Sequence, residues 1–407
     1  MLASTILPLA LVGAVASTVS ASPIQIAGQA PSVTGPDGKL SPELLQRGFE
    51  QGIERSVAQL SARASKNEDC NSKTRRSRKE KRSVASVSLR NDGDIGYFAP
   101  ALVGTPQQPV SLLLDTGSAD ILVPRATSDY PASQGTFDSS KSLAQGATPG
   151  AVVQDKIQIG PFIKIAQPFA LFDPKFLGTP AGVLGLAFST ISKIGSPTFW
   201  ERLVGDKNLD SNRFGLFHSR GGASGSELTL GGIDSSRYTG ELTAIPVKSA
   251  THWTIQMNEA TVAGETVLDG PVFAAVDSGS TYAIIPKAIT DAYFARVNGA
   301  DAPANYTRSA VINGQTFVGQ HYLYPCDAEL PALGFNFDGS DRVFELSPED
   351  AALPDVKYEG LCVSSLVGAD VTYYGQKAAL IGVPFLKSFY SVFNSDDFTL
   401  SFATAKH

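Results

Sequence analysis

The amino-acid sequence predicts a mostly β protein made of two related β halves. From Ser83 onward, short apolar and β-branched runs alternate with Gly, Pro, Asn, Asp and Ser turns, a texture typical of β structure. Helical periodicity is confined to a few short segments. An Asp-Thr/Ser-Gly-Ser element occurs twice, at Asp115 and Asp277, separated by about half of this β-rich region. Such repetition indicates two similar halves packed face to face.

Composition supports a folded chain with a large core. The 407 residues are 43% hydrophobic and only 18% charged, with a formal net charge of −6. Residues 1–82 carry 12 Lys/Arg and 7 Asp/Glu, whereas residues 83–407 carry 21 and 32. The acidic body argues against nucleic-acid binding. Three cysteines and four scattered histidines predict neither a disulfide-dense scaffold nor a metal site, and we expect no cofactor.

The first element is a signal peptide at residues 1–21. An apolar run is followed by small residues ending at Ala21, which suits signal-peptidase cleavage, although the run is not preceded by Lys or Arg. The alternative is a membrane anchor, but the run is short and rich in small residues. No second long apolar stretch follows. We therefore expect a secreted, extracellular protein without a membrane segment, with a vacuole or cell wall as other destinations.

The second element is a pro-segment at residues 22–82. Apolar residues recur every three or four positions between Leu44 and Leu60, which predicts one amphipathic helix. A basic run ends in the pair Lys81-Arg82, read here as a processing site. The alternative is a solvated charged linker. A basic front on an acidic body suggests a segment that docks on the body as an inhibitor and is later removed.

The remaining elements are the first lobe, residues 83–245, and the second lobe, residues 246–407. The runs that predict strands are Ser86–Leu89, Gly96–Val103, Val110–Leu114, Ile121–Val123, Ala151–Ile159, Glu227–Leu230 and Leu242–Val247. Short helices are predicted near Pro197–Val204, Pro286–Val297 and Pro384–Lys387. We expect Trp200 and Trp253 in the core and assign the histidines no role.

The two Asp-centred segments share more than the four-residue element. Each follows an apolar strand, and each is followed later by an apolar-apolar-Gly element, at Val183-Leu184-Gly185 and Leu380-Ile381-Gly382. One such segment would be weak, because a strand ending in an Asx turn produces it without any chemistry. Two copies are a strong signal.

On these motifs the chain resembles the pepsin-like aspartic proteases, particularly secreted fungal ones, from Ser83 to Lys406. Further matches are Asn91–Tyr97, Val103–Pro106, Gly182–Phe188 and Leu380–Phe385. The resemblance implies the bilobal pepsin-like fold, with the active-site cleft between the lobes. It also implies an aspartic endopeptidase that is made as a zymogen and that acts at acidic pH, as a monomer, on extended peptide or protein substrates.

The resemblance assigns Asp115 and Asp277 as the catalytic pair. Two close carboxylates cannot both ionise easily, so they share a proton, and one acts as base while the other acts as acid. The ionised Asp takes a proton from a water that attacks the peptide carbonyl, and the other donates to the carbonyl oxygen. Either Asp could be the ionised one.

Six neighbouring residues support the pair by the same resemblance. The glycines let backbone N–H groups approach the carboxylates, the first hydroxyl of each motif locks the two loops together, and the second bonds the outer carboxylate oxygen. They are Gly117 and Gly279, Thr116 and Ser278, and Ser118 and Ser280. Ordinary turn chemistry is the alternative for each hydroxyl.

The chain departs from the family in the first lobe. The family's flap over the cleft carries a Tyr, but the corresponding position is Leu143, in a segment shorter than usual. Leu122 stands where the family often has the Trp that partners this Tyr. The first-lobe disulfide is absent, since no Cys lies between Cys70 and Cys326. A catalytically weak or inactive peptide-binding protein is therefore the alternative function.

The resemblance pairs Cys326 with Cys362, with free buried thiols as the alternative. Leu113, Ile121, Leu122, Leu143 and Tyr282 are the candidates for substrate-binding positions, with plain core packing as the alternative for each. Asn305 begins the one Asn-x-Thr glycosylation motif of the chain.

Overall fold

A computed structural model describes residues 83–407 except 143–149, 175–179, 223, 302–306, 313–314, 359 and 374–375. The predicted signal peptide, pro-segment, processing pair Lys81-Arg82, Leu143 and Asn305 lie outside the described residues. Within them the protein is built mainly of strands in several sheets, as the sequence predicts.

The described residues of the first half contain eleven strands. They are β1 (Ala85–Ser88), β2 (Arg90–Asp92), β3 (Gly96–Val103), β4 (Gln108–Asp115), β5 (Ile121–Pro124), β6 (Val152–Ile159), β7 (Phe162–Phe172), β8 (Gly182–Gly185), β9 (Arg213–Phe217), β10 (Glu227–Leu230) and β11 (Tyr238–Pro246). All seven predicted strands overlap observed ones. Sequence alternation explains several of them: along β6, buried Asp155, Ile157 and Ile159 alternate with more exposed residues.

The second half contains the other strands. They are β12 (Thr254–Val262), β13 (Glu265–Val276), β14 (Ala283–Ile285), β15 (Thr307–Ile312), β16 (Gln315–Gln320), β17 (Leu323–Tyr324), β18 (Leu333–Phe337), β19 (Val343–Leu346), β20 (Ala352–Tyr358), β21 (Leu361–Ser364), β22 (Leu366–Gly368), β23 (Val371–Tyr373), β24 (Gln376–Ile381), β25 (Phe389–Asn394) and β26 (Thr399–Ala405).

Three short α-helices lie where the sequence predicts them. They are α1 (Phe199–Gly205), α2 (Lys287–Phe294) and α3 (Val383–Ser388). A capping box begins α1: the Thr198 hydroxyl accepts from the Glu201 backbone N–H, and the Glu201 side chain accepts from the Thr198 N–H. Pro286 precedes α2 and Pro384 lies in the first turn of α3, positions where proline fits a helix start.

Each half has its own large sheet. In the first, the strand order is β2-β3-β4-β8-β5-β7-β6, and β6 also pairs with β3. In the second, the order is β15-β16-β22-β14-β24-β13-β12-β18-β19, with β23 on β24. A small sheet of order β17-β21-β20 lies in the second half. These two large sheets form the two lobes.

A six-stranded sheet joins the halves, in the order β1-β10-β9-β25-β26-β11. It takes β25 and β26 from the end of the chain and the other four strands from the first half. Across the β9–β25 pair, the rings of Phe214 and Phe393 stack at 4.6 Å. Buried Trp253 packs against both Phe393 and Phe188. The predicted lobe boundary at residues 245/246 falls at the end of β11, within this joining sheet.

Candidate active site

Equivalent strand pairs deliver the two aspartates. Strand β4 ends at Asp115 and lies parallel to β8, whose Gly185 is the register partner of Asp115. Strand β13 ends one residue before Asp277 and lies parallel to β24. In each half a short third strand runs antiparallel to that parallel neighbour. It is β5 beside β8 in the first half and β14 beside β24 in the second. The apolar-Gly elements noted in the sequence are therefore the strands that flank the two Asp loops.

Glycine allows the two loops to meet. A Cβ atom added to Gly117 would lie 2.5 Å from Cγ of Asp277, and one added to Gly279 would lie 2.7 Å from Cγ of Asp115. Real Cβ atoms do not approach so closely, so any side chain at either position would push the carboxylates apart. The structure thus brings Asp115 and Asp277 together, each against the glycine of the opposite loop.

Hydrogen bonds between Thr116 and Ser278 tie the loops together symmetrically. The Ser278 N–H donates to Thr116 Oγ1 at 2.9 Å, and the Thr116 N–H donates to Ser278 Oγ at 3.1 Å. Each hydroxyl in turn donates to a carbonyl of the opposite strand, Thr116 to Val276 at 2.8 Å and Ser278 to Leu114 at 2.9 Å. All these groups are buried, so the geometry of the pair is fixed from both sides.

The hydroxyls of Ser118 and Ser280 donate to different kinds of acceptor. Ser118 Oγ donates to Oδ2 of Asp115 at 2.5 Å, as the sequence predicts. Ser280 Oγ donates instead to the backbone carbonyl of Tyr282 at 3.0 Å, so its predicted bond to Asp277 is corrected. The tight turn after Asp277 places that carbonyl within reach of a hydroxyl that has only one proton to give.

Both carboxylates are buried, and each also accepts from its own loop. The Gly117 N–H donates to Asp115 Oδ1 at 2.9 Å, and the Gly279 N–H donates to Asp277 Oδ1 at 2.8 Å. Burial raises the pKa of Asp277 well above its usual range, and the negative charge of Asp115 and a hydrogen bond between the two carboxyls raise it further. The surroundings of Asp277 therefore favour its protonated form.

Apolar side chains beside the Asp115 loop form a separate small cluster. It contains buried Phe98, Leu113, Ala181 and Val183 with half-buried Leu122 against it. Leu113 and Leu122, two of the predicted substrate-binding positions, therefore lie together. Ile121 does not: it is 1% exposed within the main core of the protein, because alternate residues of β5 point to opposite faces. Ile121 is corrected to a core residue.

A second small cluster adjoins the Asp277 loop. Half-buried Tyr282 packs there with Leu361 against buried side chains, namely Leu323, Leu353 and Val363. The Tyr282 ring also meets the edge of His321, with ring centres 5.0 Å apart. Each Asp loop thus has an apolar cluster beside it: Leu113 precedes Asp115 by two residues, and Tyr282 follows Asp277 by five.

Two supporting contacts were not anticipated. The Thr281 hydroxyl donates to the Ile95 carbonyl at 2.7 Å, which ties the Asp277 loop to the hairpin of β2 and β3. Trp253 Nε1 donates to the Leu186 carbonyl at 2.9 Å, while the Leu186 N–H donates to the Asp115 carbonyl at 2.8 Å. Thr281 adjoins the motif and could have been suspected, whereas nothing near Trp253 in the sequence points to Asp115.

The segment between β5 and β6 is the one in which the sequence predicts the shortened flap. Between Pro124 and Val152, the described residues contain two short 3-10 helices, Ala132–Gln134 and Ser139–Lys141, and no extended strand. The position predicted to carry the flap residue, Leu143, lies outside them. The first-lobe flap therefore remains an expectation from the sequence.

Three further features concern the surroundings of the site. Cys326 and Cys362 form a disulfide, as predicted. Among the described residues, no group of three or more His, Cys, Asp or Glu side chains is arranged to hold a metal ion. In the same part of the chain, no helix is long and apolar enough to cross a membrane.

Comparison with known proteins agrees with this geometry. The family model of eukaryotic aspartyl protease matches residues 96–405. The chain is 30% identical over 348 residues to a pregnancy-associated glycoprotein of Equus caballus, covering 79% of this chain and 84% of that protein. It is 28% identical over 340 residues to pepsin A of Sus scrofa, covering 76% and 82%.

A fungal relative is similarly related: vacuolar protease A of Arthroderma otae is 28% identical over 353 residues, covering 80% of this chain and 82% of that protein. Animal and fungal proteases match at similar identity, so the matches do not favour the secreted fungal type. Two Asp loops joined across paired lobes, together with a family match over most of the chain, lead to one conclusion. The chain belongs to the eukaryotic aspartyl protease family and is a pepsin-like, aspartic-type endopeptidase.

Proposed function

We propose that Asp115 and Asp277 hydrolyse peptide bonds by activating a water between them, at acidic pH. The observation that supports this most directly is the contact of each carboxylate with the opposite glycine, Gly117 or Gly279, which leaves no room for a side chain. Two carboxylates held this closely share one proton, so the pair provides an acid and a base at the same pH.

The two roles follow from the surroundings of each carboxylate. The Ser118 hydroxyl and the Gly117 N–H both donate to Asp115, which stabilises its negative charge. Asp115 is therefore the base that takes a proton from the water. Asp277 keeps its proton because its pKa is raised by burial and by Asp115, and it donates to the carbonyl oxygen of the substrate. The reaction consumes one water and forms a carboxyl and an amine, with no covalent intermediate.

An extended peptide is the proposed substrate, lying across the cleft between the lobes. One apolar cluster contains Leu113 and Leu122, near Asp115, and the other contains Tyr282, near Asp277. Leu122 and Tyr282 are only half buried, so each cluster presents apolar surface beside the reacting groups. Apolar side chains flanking the cut bond would bury surface there, at about 25 cal/mol per Å².

The signal peptide and the pro-segment are proposed to be removed before the enzyme becomes active. Residues 1–21 direct secretion, and residues 22–82 inhibit the enzyme until cleavage after Lys81-Arg82. Ser83, the first residue after that pair, hydrogen-bonds to the Asn208 carbonyl and leads directly into β1 of the joining sheet. The mature chain would then begin in a structural strand. The protein acts as a monomer, carries a glycan at Asn305 and requires no cofactor.

The test is acid proteolysis by the purified protein. Residues 22–407 are expressed, allowed to process, and assayed on a denatured protein from pH 2 to 7. We expect activity that peaks in acid and falls at least about a hundredfold in both Asp115→Asn and Asp277→Asn, because each removes one proton-transfer group. Asp92→Asn is the matched control, since its carboxylate pairs with Arg90 on the surface.

The alternative is a peptide-binding protein without catalytic power, as the departures at Leu122 and Leu143 suggest. It predicts a folded, processed wild-type protein that binds a labelled apolar peptide, measured by fluorescence anisotropy, yet leaves that peptide uncut at every pH. That outcome would overturn the endopeptidase proposal.

A further inference from the structure

His218 is a buried histidine that the sequence analysis left without a role. It follows β9 and is fully buried, and neither of its ring nitrogens has a hydrogen-bond partner. Its ring meets the edge of Tyr97, with ring centres 4.4 Å apart. A buried polar side chain without partners costs stability, so the position is informative.

The ring lies where the two lobes are joined. Tyr97 belongs to β3 of the first lobe, and its hydroxyl donates to the Ser219 carbonyl at 2.7 Å. Charged or titratable groups face His218 from three other elements: Asp94 from the hairpin of β2 and β3, Lys387 from α3, and His407 at the end of the described chain. The His407 ring in turn lies 2.7 Å, Nε2 to O, from the Lys387 carbonyl.

A proton on His218 would find no free counter-charge. Asp94 is the carboxylate that acts on His218, but its Oδ2 already accepts from Lys387 Nζ and the Gly221 N–H, both at 3.0 Å. Its Oδ1 accepts from Asn91 Nδ2 at 2.7 Å. The ammonium of Lys387 repels a second cation. An imidazolium here would therefore be a buried charge without a hydrogen-bond partner, which proteins tolerate poorly.

We propose that His218 is an acid-sensitive element of the lobe junction: when its imidazole takes up a proton, the contacts around Tyr97 and Lys387 loosen and the fold loses stability. The consequence is a lower pH limit for the folded protein. It is a property of the fold and holds whether or not the aspartates cleave peptides.

The sign of the effect follows from linkage. Burial lowers the pKa of His218 to about 3, with Lys387 and His407 contributing in the same direction and Asp94 opposing them. In the unfolded chain the imidazole titrates at about 6.5. Between these values the unfolded state binds a proton that the folded state does not. The folding equilibrium constant therefore falls up to about tenfold per pH unit as the pH drops, approaching about a thousandfold in total.

The experiment measures stability against pH in the full chain carrying Asp115→Asn, which prevents self-cleavage. Urea unfolding is followed by tryptophan fluorescence from pH 7 to 3, with and without His218→Leu. We expect the two curves to diverge as the pH falls, with the His218→Leu protein gaining up to about a thousandfold in relative folding constant. His218→Met, of similar size, serves as a second variant if Leu is not accommodated.

Tyr97→Phe is the matched control, because it disturbs the same junction without removing a group that titrates in this range. Its stability should run parallel to that of the parent. A direct readout is the NMR titration of ring-labelled histidines, in which the signal that is lost in His218→Leu should stay neutral down to about pH 4. Burial also lowers the pKa of His252, to about 4, so the missing signal is what identifies His218. Parallel curves for the parent and both His218 variants, or a His218 signal that titrates near pH 6.5, would overturn the proposal.

Discussion

At the scale of single residues, the two aspartates occupy equivalent positions and have unequal partners. Asp115 accepts from the Ser118 hydroxyl, whereas the equivalent hydroxyl of Ser280 serves the Tyr282 carbonyl. A hydrogen bond to a charged group stabilises it by about 1.5–3 kcal/mol. The difference of one hydroxyl is therefore large enough to decide which carboxylate is ionised.

This inequality predicts different effects for two matched substitutions. Ser118→Ala should move the acidic limb of the kcat/KM profile to higher pH by about one unit or more, because Asp115 loses a donor that favours its charge. At pH values below that limb, kcat/KM of Ser118→Ala should be roughly tenfold or more lower than kcat/KM of the wild type. Ser280→Ala should leave the acidic limb in place, since its hydroxyl does not reach Asp277.

The measurement is a pH profile on one peptide substrate for both variants and the wild type. Equal shifts in Ser118→Ala and Ser280→Ala would show that the two hydroxyls are equivalent in solution. The assignment of Asp115 as the base would then fail, although the endopeptidase activity itself would stand.

At the scale of elements, α1 supports the Asp115 side from a distance. Its Glu201 closes the capping box with Thr198 and also accepts from both the N–H and the hydroxyl of Ser189, at 2.9 and 3.0 Å. Burial raises the pKa of the Glu201 carboxyl, while these hydrogen bonds act in the opposite direction. Leu186, three residues before Ser189, is bonded to both Asp115 and Trp253. The start of α1 therefore fixes the segment from Leu186 to Ser189, which is hydrogen-bonded to the Asp115 loop.

Two substitutions distinguish the N-cap of α1 from the additional contacts that Glu201 makes with Ser189. Thr198→Ala should lower the free energy of unfolding by about 1 kcal/mol, the usual cost of losing an N-cap. Glu201→Ala should cost more, about 2–3 kcal/mol, because it also leaves the Ser189 groups without their acceptor. Urea unfolding of both variants provides the comparison. Equal losses would show that Glu201 acts on the helix alone.

At the scale of the whole molecule, a buried group of charges connects the lobes. Lys387 Nζ lies 3.0 Å from Asp94 Oδ2 and 3.3 Å from Asp350 Oδ1, and all three side chains are at most 2% exposed. Arg220 reaches Asp350 with two nitrogens, at 2.8 and 3.0 Å. The first-lobe hairpin, the joining sheet and α3 are thereby held by contacts that are fully buried at Lys387 and partly exposed at Arg220.

Removal of the central cation should be severe. Lys387→Met keeps the approximate size of the side chain but leaves two buried carboxylates short of a partner, which costs about 3–5 kcal/mol. Lys287→Met is the control, because its pair with Asp291 is half exposed and such pairs contribute about 1 kcal/mol or less. Similar unfolding curves for the two variants would contradict the proposed role of Lys387.

The pH dependence of this group has a defined sign. Burial by itself would raise the pKa of Asp94, but Lys387, Asn91 and the Gly221 N–H together hold it below its usual range. Its stabilising contribution is therefore complete above about pH 4 and is lost as the pH falls through its folded-state pKa. Between pH 4 and 7 the contribution of Asp94 to stability should consequently stay constant, in contrast to that of His218.

Local sequence determined the fold class, seven strands of the first half, the two Asp loops and their flanking apolar-Gly strands, because each of these signals is carried by neighbouring residues. The disulfide between Cys326 and Cys362 came from the family resemblance. The tertiary structure decided which hydroxyl bonds which carboxylate, that Ile121 belongs to the core, and that His218 is buried beside Lys387. The bonds of Ser118 and Ser280 depend on turn geometry, which selects between acceptors two or three residues away. The burial of Ile121 and His218 depends on groups far apart in the chain, and the charge of an imidazole depends on whether folding removes water from around it.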